Sequence, residues 1–281
     1  MKLPKAKWLA LLMIVVLLTS GLAANATQAK EPRVYTVGVV PQFDSRRILA
    51  IWRPILDALE QRSGIQFRLV GSASIPIFEQ EFQSGKFDFA YMNPYHMLIA
   101  HNSQGYRPLL RDHSNQLQGI LVVRKDSLIT ELSQLQGQYI AFPAPNALGA
   151  SLMIRAELQE RLDLKPRYVK SHTSVYLNVI TGTVVAGGGV EKTLSQQSEE
   201  IREQLRIIYR TAGVATHPIA VHPRVSRRVA EQVQQMILDI AETEKGKEML
   251  MQIPMKQVGI TTADDYIPLK KMGLEPFYVK E

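Results

Sequence analysis

The 281-residue sequence has no cysteine, which excludes disulfides, thiolate nucleophiles, cysteine-ligated zinc and a lipid anchor carried on cysteine. Charge of one sign is also scarce: 33 Lys and Arg stand against 26 Asp and Glu, and setting aside Lys2, Lys5 and Lys7 of a leader leaves 30 against 26, a formal +4. A surplus so small and so scattered argues against a nucleic-acid partner. Standard catalytic signatures are missing: there is no G-x-S-x-G elbow, no H-E-x-x-H, no phosphate loop ending in Gly-Lys-Ser/Thr and no G-x-G-x-x-G. His96 and His101 are five apart and do not share a helix face as an i, i+4 metal pair would, so neither a metal nor another cofactor is expected. Long apolar runs are absent beyond residue 26, because Arg, Lys, Glu and Gln recur throughout.

What is present points to an exported globular protein. Hydrophobic residues make up 46% and charged residues 21%, near the globular norm, so the chain can bury a core. Lys2, Lys5 and Lys7 form a basic start, residues 8–18 an apolar stretch too short to span a bilayer, and Ala24-Asn25-Ala26 a small-x-small cleavage site. Residues 1–26 therefore read as a cleaved signal peptide, the mature chain of about 255 residues is expected in the periplasm, and contact with a membrane is expected only through partner proteins.

Along the mature chain, residues 34–40 read as a buried strand, 41–45 as a turn, and 47–62 as a helix. There Ile48, Leu49, Trp52, Ile55, Leu56 and Leu59 recur with helical spacing, and Gly64 stands at the C-terminal cap. A strand at 66–70, a helix at 76–84 and a strand at 87–92 follow. Strands alternating with crossover helices predict a mainly parallel sheet covered on both faces. The pattern restarts with strands at 120–123, 139–142, 167–169, 184–186 and 205–209 and helices at 129–135, 148–162 and 175–181. Residues 226–241 and 244–251 read as helices, with Val229, Val233, Ile237 and Ile240 on one face of the first. The expected architecture is α/β with two lobes, each a mainly parallel sheet flanked by helices. Lobe 1 comprises 33–115 and 222–281, lobe 2 comprises 116–221, and two crossings make the hinge.

Ligands of open α/β sheets lie beyond the carboxyl ends of the strands, near helix N-termini. Those ends carry Gln42, Ser72, Tyr91, Asn93 and Tyr95 in the first lobe and Asn146, Ala147, His172, Thr173 and Gly188 in the second. Aromatics, hydroxyls, amides and glycines together suit a small polar ligand. Each residue also has a structural reading: Asn93-Pro94 and Pro145-Asn146 as turn and cap, His172 as a satisfied buried histidine, and the run Gly187-Gly188-Gly189 as close backbone packing rather than an anion nest. Glu191-Lys192 reads as a solvated helix face.

At these segments the sequence resembles the substrate-binding proteins of phosphate, phosphite and phosphonate ABC transporters, a branch of the type II periplasmic binding proteins. The resemblance is carried by residues 35–41 (Tyr-Thr-Val-Gly-Val-Val-Pro), 85–91 (Gly-Lys-Phe-Asp-Phe-Ala-Tyr), 120–127 (Ile-Leu-Val-Val-Arg-Lys-Asp-Ser), Pro145-Asn146, and His172 before a helix. It implies two α/β lobes joined by a hinge, a ligand enclosed between them and delivery to a membrane permease; a monomer and a small polar, anionic ligand are the accompanying expectations. It also implies Tyr91, Asn93, Tyr95, Asn146 and His172 as pocket residues. Where the phosphonate binders carry Ser-Thr-Ser after Pro-Asn, this sequence has Ala147-Leu148-Gly149, so donors there can only be backbone N–H groups. On the same fold, presentation of the ligand to a sensor kinase or chemoreceptor is the alternative, and an exported enzyme is the third reading.

Overall fold

The computed structural model describes residues 33–159 and 161–280; the signal-peptide assignment to 1–26 lies outside them. Two sheets organise the fold. The first has six strands in the order β11-β4-β10-β3-β1-β2, where β1 is Val34–Val39, β2 Gln66–Val70, β3 Phe89–Tyr91, β4 Arg107–Asp112, β10 Ile219–Val221 and β11 Val258–Ile260. The second has five in the order β7-β6-β8-β5-β9: β5 Gly119–Arg124, β6 Tyr139–Phe142, β7 Lys165–Tyr168, β8 Ala186–Val190 and β9 Leu205–Arg210.

Both sheets are mixed, which narrows the expectation of mainly parallel pairing. The βαβ portions are parallel, β1 with β2 and β3, and β6 with β7 and β8. Strands β10, β4, β11, β5 and β9 pair antiparallel. Strands β4, β10 and β11 were not read from the sequence. β10 and β11 have three residues each, too few to show a period of two.

Helix α1 (Ser45–Ser63) starts where Asp44 accepts from the backbone N–H of Arg47 at 3.0 Å and ends at Gly64 with φ 68°. Its buried stripe is Ile48, Trp52, Ile55, Leu56 and Leu59, whereas Leu49, expected on that face, is exposed. Helices α2 (Ile75–Gln83) and α3 (Pro94–Gln104) complete the first crossover pattern. In the second lobe the expected helix over 148–162 opens instead as a π-helix, Leu148–Met153, and continues as α4, Ile154–Leu158. Helix α5 is His172–Ile180, and α6 (Glu191–Ser195) follows β8 directly. The segment 129–135 forms only a 3₁₀ turn, Leu132–Leu135. Among the described residues no helix is long and apolar enough to cross a membrane.

The glycine run 187–189 lies inside β8 and is buried, not in a loop beyond the strand. A Cβ on Gly188 would stand 2.1 Å from the carbonyl oxygen of Ala150 and 2.5 Å from the Phe142 ring, and one on Gly119 would stand 2.0 Å from the carbonyl oxygen of Gly149. These glycines let the π-helix press directly on β5 and β8.

The chain passes from the first sheet to the second between Asp112 and Gly119 and returns between Arg210 and Ile219. The two crossings are bonded to each other, Leu117 N–H to Val214 carbonyl at 2.8 Å and Val214 N–H to Leu117 carbonyl at 3.0 Å. The apolar core of the first sheet continues into the face of the π-helix, taking in Ala147, Leu148, Ala150 and Leu152. Two smaller clusters contain Leu121, Ile140 and Phe142, and Ile120, Val122 and Tyr176.

Candidate functional site

Four helix starts meet at one point between the sheets. A cavity of about 20 Å³, room for a water molecule, is lined by Ile75 at the start of α2, Asn93 capping α3, Ala147 to Ala150 at the start of the π-helix, and His172 at the start of α5, with Val40, Gln42, Val190 and His217. Three starts are capped by side chains. Ser74 accepts from Ile77 N–H, Asn93 Oδ1 from His96 N–H at 2.8 Å, and Ser171 from Ser174 N–H at 3.1 Å. The π-helix has no side-chain cap, because Ala147 has none to offer. Its first closed bonds run from Ser151 and Leu152 N–H to the Ala147 carbonyl. The N–H groups of Leu148, Gly149 and Ala150 precede them, and such groups have no partner within a helix.

No Lys, Arg, Asp or Glu lines this cavity. Its titratable groups are two histidines held neutral, His172 buried and His217 partly buried. Burial pulls His172 down to about 4; burial, and then electrostatic interaction with the neighbouring His96 and His172 rings, pull His217 down to about 3. Gln42 Nε2 donates to His217 Nε2 at 3.1 Å, which puts the ring proton of neutral His217 on Nδ1. His172 Nδ1 lies 3.1 Å from the Thr193 hydroxyl. The field at the cavity thus comes from aligned peptide dipoles.

Beyond the Gln42–His217 pair lies a larger chamber of about 340 Å³ beside the crossings. It shares Gln42, Val190 and His217 with the small cavity and adds Tyr91, Asp112, Gln116, Lys192, Thr193 and Thr216, among others. The Tyr91 ring stacks on His217 with centroids 5.4 Å apart, and its hydroxyl donates to the Ile253 carbonyl at 3.2 Å. A third cavity, about 290 Å³, includes Phe43, Arg47, Ser72, Lys170 and Thr173.

The sequence-derived candidates therefore separate. Gln42, Asn93, Ala147 and His172 meet at the small cavity, and Tyr91 joins Gln42 at the chamber. Ser72 and Thr173 line the third cavity, where Ser72 donates to Glu81 and Thr173 to Gln197. Three candidates lie elsewhere, for physical reasons. Gly188 is a packing position within β8. Tyr95 packs edge-on against Tyr278, centroids 5.6 Å apart. Asn146 has its amide committed: Nδ2 donates to Glu79 Oε2 and to the Val279 carbonyl, both at 2.8 Å, and Oδ1 accepts from Val279 N–H at 2.9 Å. Glu79 Oε1 accepts from His96 Nε2 at 2.7 Å, so a buried polar chain ties α3 to α2, to the second lobe and to the C-terminal segment.

Residues missed in the sequence are Ile75, His217, Lys192 and Thr193. Ile75 could have been read from Ser74-Ile75-Pro76, a cap followed by proline in the first turn. His217 lies on the return crossing, whose place beside the site follows only from the topology. The structure also turns Lys192, read as a solvated face, toward the chamber. Among the described residues no group of three or more His, Asp or Glu is placed to hold a metal ion.

The family described as ABC transporter, phosphonate, periplasmic substrate-binding protein matches residues 37–266. The chain belongs to this family. No curated protein matches it in sequence. Among solved structures, PhnD1 from Prochlorococcus marinus in complex with methylphosphonate is similar at TM-score 0.78 and 15% identity, covering 88% of this chain and 100% of that one. A binding protein component of an ABC phosphonate transporter from Pseudomonas aeruginosa is similar at TM-score 0.77 and 15% identity, over 86% of each chain. A Xanthomonas citri protein bound to chloride ion is similar at 0.71 and 18%, over 87% of this chain and 98% of that one. At these identities the likeness is one of fold.

Proposed function

We propose that this member of the periplasmic phosphonate-binding family captures a small oxyanion of the phosphonate or phosphate type between its lobes and hands it to the permease of an ABC transporter. The observation that carries the reading is the meeting of four helix N-termini, two from each lobe, at a cavity lined by no charged side chain. Helix N-termini favour anions through their dipoles and their unpaired N–H groups. A hydrogen bond to a charged acceptor contributes about 1.5–3 kcal/mol. Four at about 2 kcal/mol would match the roughly 8 kcal/mol of a micromolar Kd.

The oxyanion sits at the junction of the two cavities and replaces the Gln42–His217 bond. The N–H groups of Leu148, Gly149 and Ala150 stand in for the Ser-Thr-Ser hydroxyls of the relatives. Parting of the lobes about the paired crossings admits the ligand, and closure buries it. The test is calorimetric titration of the mature protein with methylphosphonate, phosphate and the neutral isostere dimethyl sulfone. Micromolar binding of an anion and none of the sulfone is expected. Binding of the sulfone alone, or of none of the three, overturns the reading.

A further inference from the structure

The chamber beside the crossings is far larger than a methyl group requires. A volume of about 340 Å³ is the size of a pocket for an organic ligand, not for a bare tetrahedral anion. Three charged residues line it, and the two carboxylates among them have partners of their own. Asp112 Oδ1 accepts from Gln257 N–H at 2.8 Å and from Ser114 N–H at 3.2 Å, and its Oδ2 accepts from the Ser114 hydroxyl at 2.7 Å, which makes it a staple of the first crossing. Glu191 is paired with Arg210 at 3.2 Å. Lys192 differs: its ammonium donates to the neutral Met251 carbonyl at 3.3 Å, which uses one of its three N–H donors. Partial burial costs this ammonium solvation and lowers its pKa, against the opposing pull of Asp112. An acidic group from a ligand would restore that solvation, while an amino group would meet like charge.

We infer that the chamber is a second binding compartment for a carboxylate-bearing arm, so that the ligand is a two-headed acid: an oxyanion at the helix N-termini and a carboxylate at Lys192. The inference rests on the oxyanion reading and specifies its substrate class. Gln116 supplies a neutral hydrogen-bonding group along the wall of the chamber, whereas the hydroxyls of Thr193 and Thr216 donate to the Val190 and Asp112 carbonyls.

The experiment compares methylphosphonate, 2-aminoethylphosphonate and 3-phosphonopropionate by calorimetry on the mature wild-type protein and on Lys192→Met and Lys192→Glu. In the wild type, 3-phosphonopropionate should bind at least tenfold more tightly than either of the others. That preference should collapse in Lys192→Met. In Lys192→Glu it should turn toward 2-aminoethylphosphonate, a gain that a damaged fold cannot produce. Equal binding of the three phosphonates in the wild type, or a preference that survives both substitutions, overturns the second compartment and leaves the oxyanion reading standing. Failure of all three to bind removes both.

Discussion

The two lobes meet the same small cavity with different chemistry. The first presents capped helices and committed side chains: Ser74 and Asn93 spend their oxygens on their own helices, and Gln42 is bonded to His217. The second presents the uncapped start of a π-helix, seated on a glycine strand that lets backbone lie against backbone. Their cores differ in the same sense. Aromatic rings pack the first, with Phe78 against Phe82 and Phe87 at 5.5 and 5.4 Å, whereas the clusters around the second sheet are mostly aliphatic, with Phe142 and Tyr176 as their buried rings, and its strand β8 is rich in glycine. One lobe is a fixed wall built by side chains. The other is a main-chain surface whose donors remain available for a ligand.

This contrast can be broken most severely from the side-chain lobe. His96→Leu removes the buried donor to Glu79 Oε1 and leaves a carboxylate that is 4% exposed with the Asn146 amide at its other oxygen. A loss of about 3–5 kcal/mol in unfolding free energy is expected, measured by denaturant titration, and a loss below about 1 kcal/mol would show that the polar chain is not structural. The counterpart in the main-chain lobe is Gly188→Val, whose side chain would collide with the Ala150 carbonyl and Phe142. It should cost about 3 kcal/mol and displace the π-helix, abolishing anion binding. Retained binding would mean that the start of the π-helix is not the site.

Two smaller effects sharpen the comparison where the lobes touch. Asn146→Ala cuts the tie among Glu79, the second lobe and Val279. It should lose about 2 kcal/mol and loosen the closed form, read as weaker anion affinity together with a lower Tm. A lower Tm with unchanged affinity would confine Asn146 to stability. Acid should act through His172 and His217. Both have folded pKa values below the ordinary 6.5, about 4 for His172 and about 3 for His217, so the unfolded chain binds protons that the folded protein refuses. Stability is therefore complete above pH 6.5. It falls by about 1.4 kcal/mol per pH unit for each histidine as the pH drops from 6.5 toward 4. A flat Tm across that interval would contradict both rings being held neutral in the folded protein.

How much of this was legible in the sequence depends on the length over which a pattern repeats. Helix α1 could be read from six spaced apolar residues and its Gly64 cap, and β1 from a mostly apolar stretch of seven residues. Leu49 shows the limit, since spacing places a residue near a face without saying where the face ends. Three-residue β10 and β11 carry no periodicity and owe their pairing to neighbours far along the chain. At the site, the cap signal at Asn93 was readable because it is local. Asn146 and Tyr95 have partners in Val279 and Tyr278, more than a hundred residues away, and no local rule reveals such engagement. Gly187-Gly188-Gly189 fits a nest and a packing strand equally as a sequence, and only the approach of the π-helix separates the two.

The central claim is that main-chain N–H groups of the second lobe hold the anion. Amide ¹⁵N–¹H NMR during titration with methylphosphonate tests it most directly. The account predicts that the largest shifts fall on Leu148, Gly149, Ala150 and His172, with smaller ones at Tyr95 N–H and at the Gln42 side chain. Shifts confined to the surroundings of Arg47 and Lys170, with the amides of 148–150 unmoved at saturation, would contradict it.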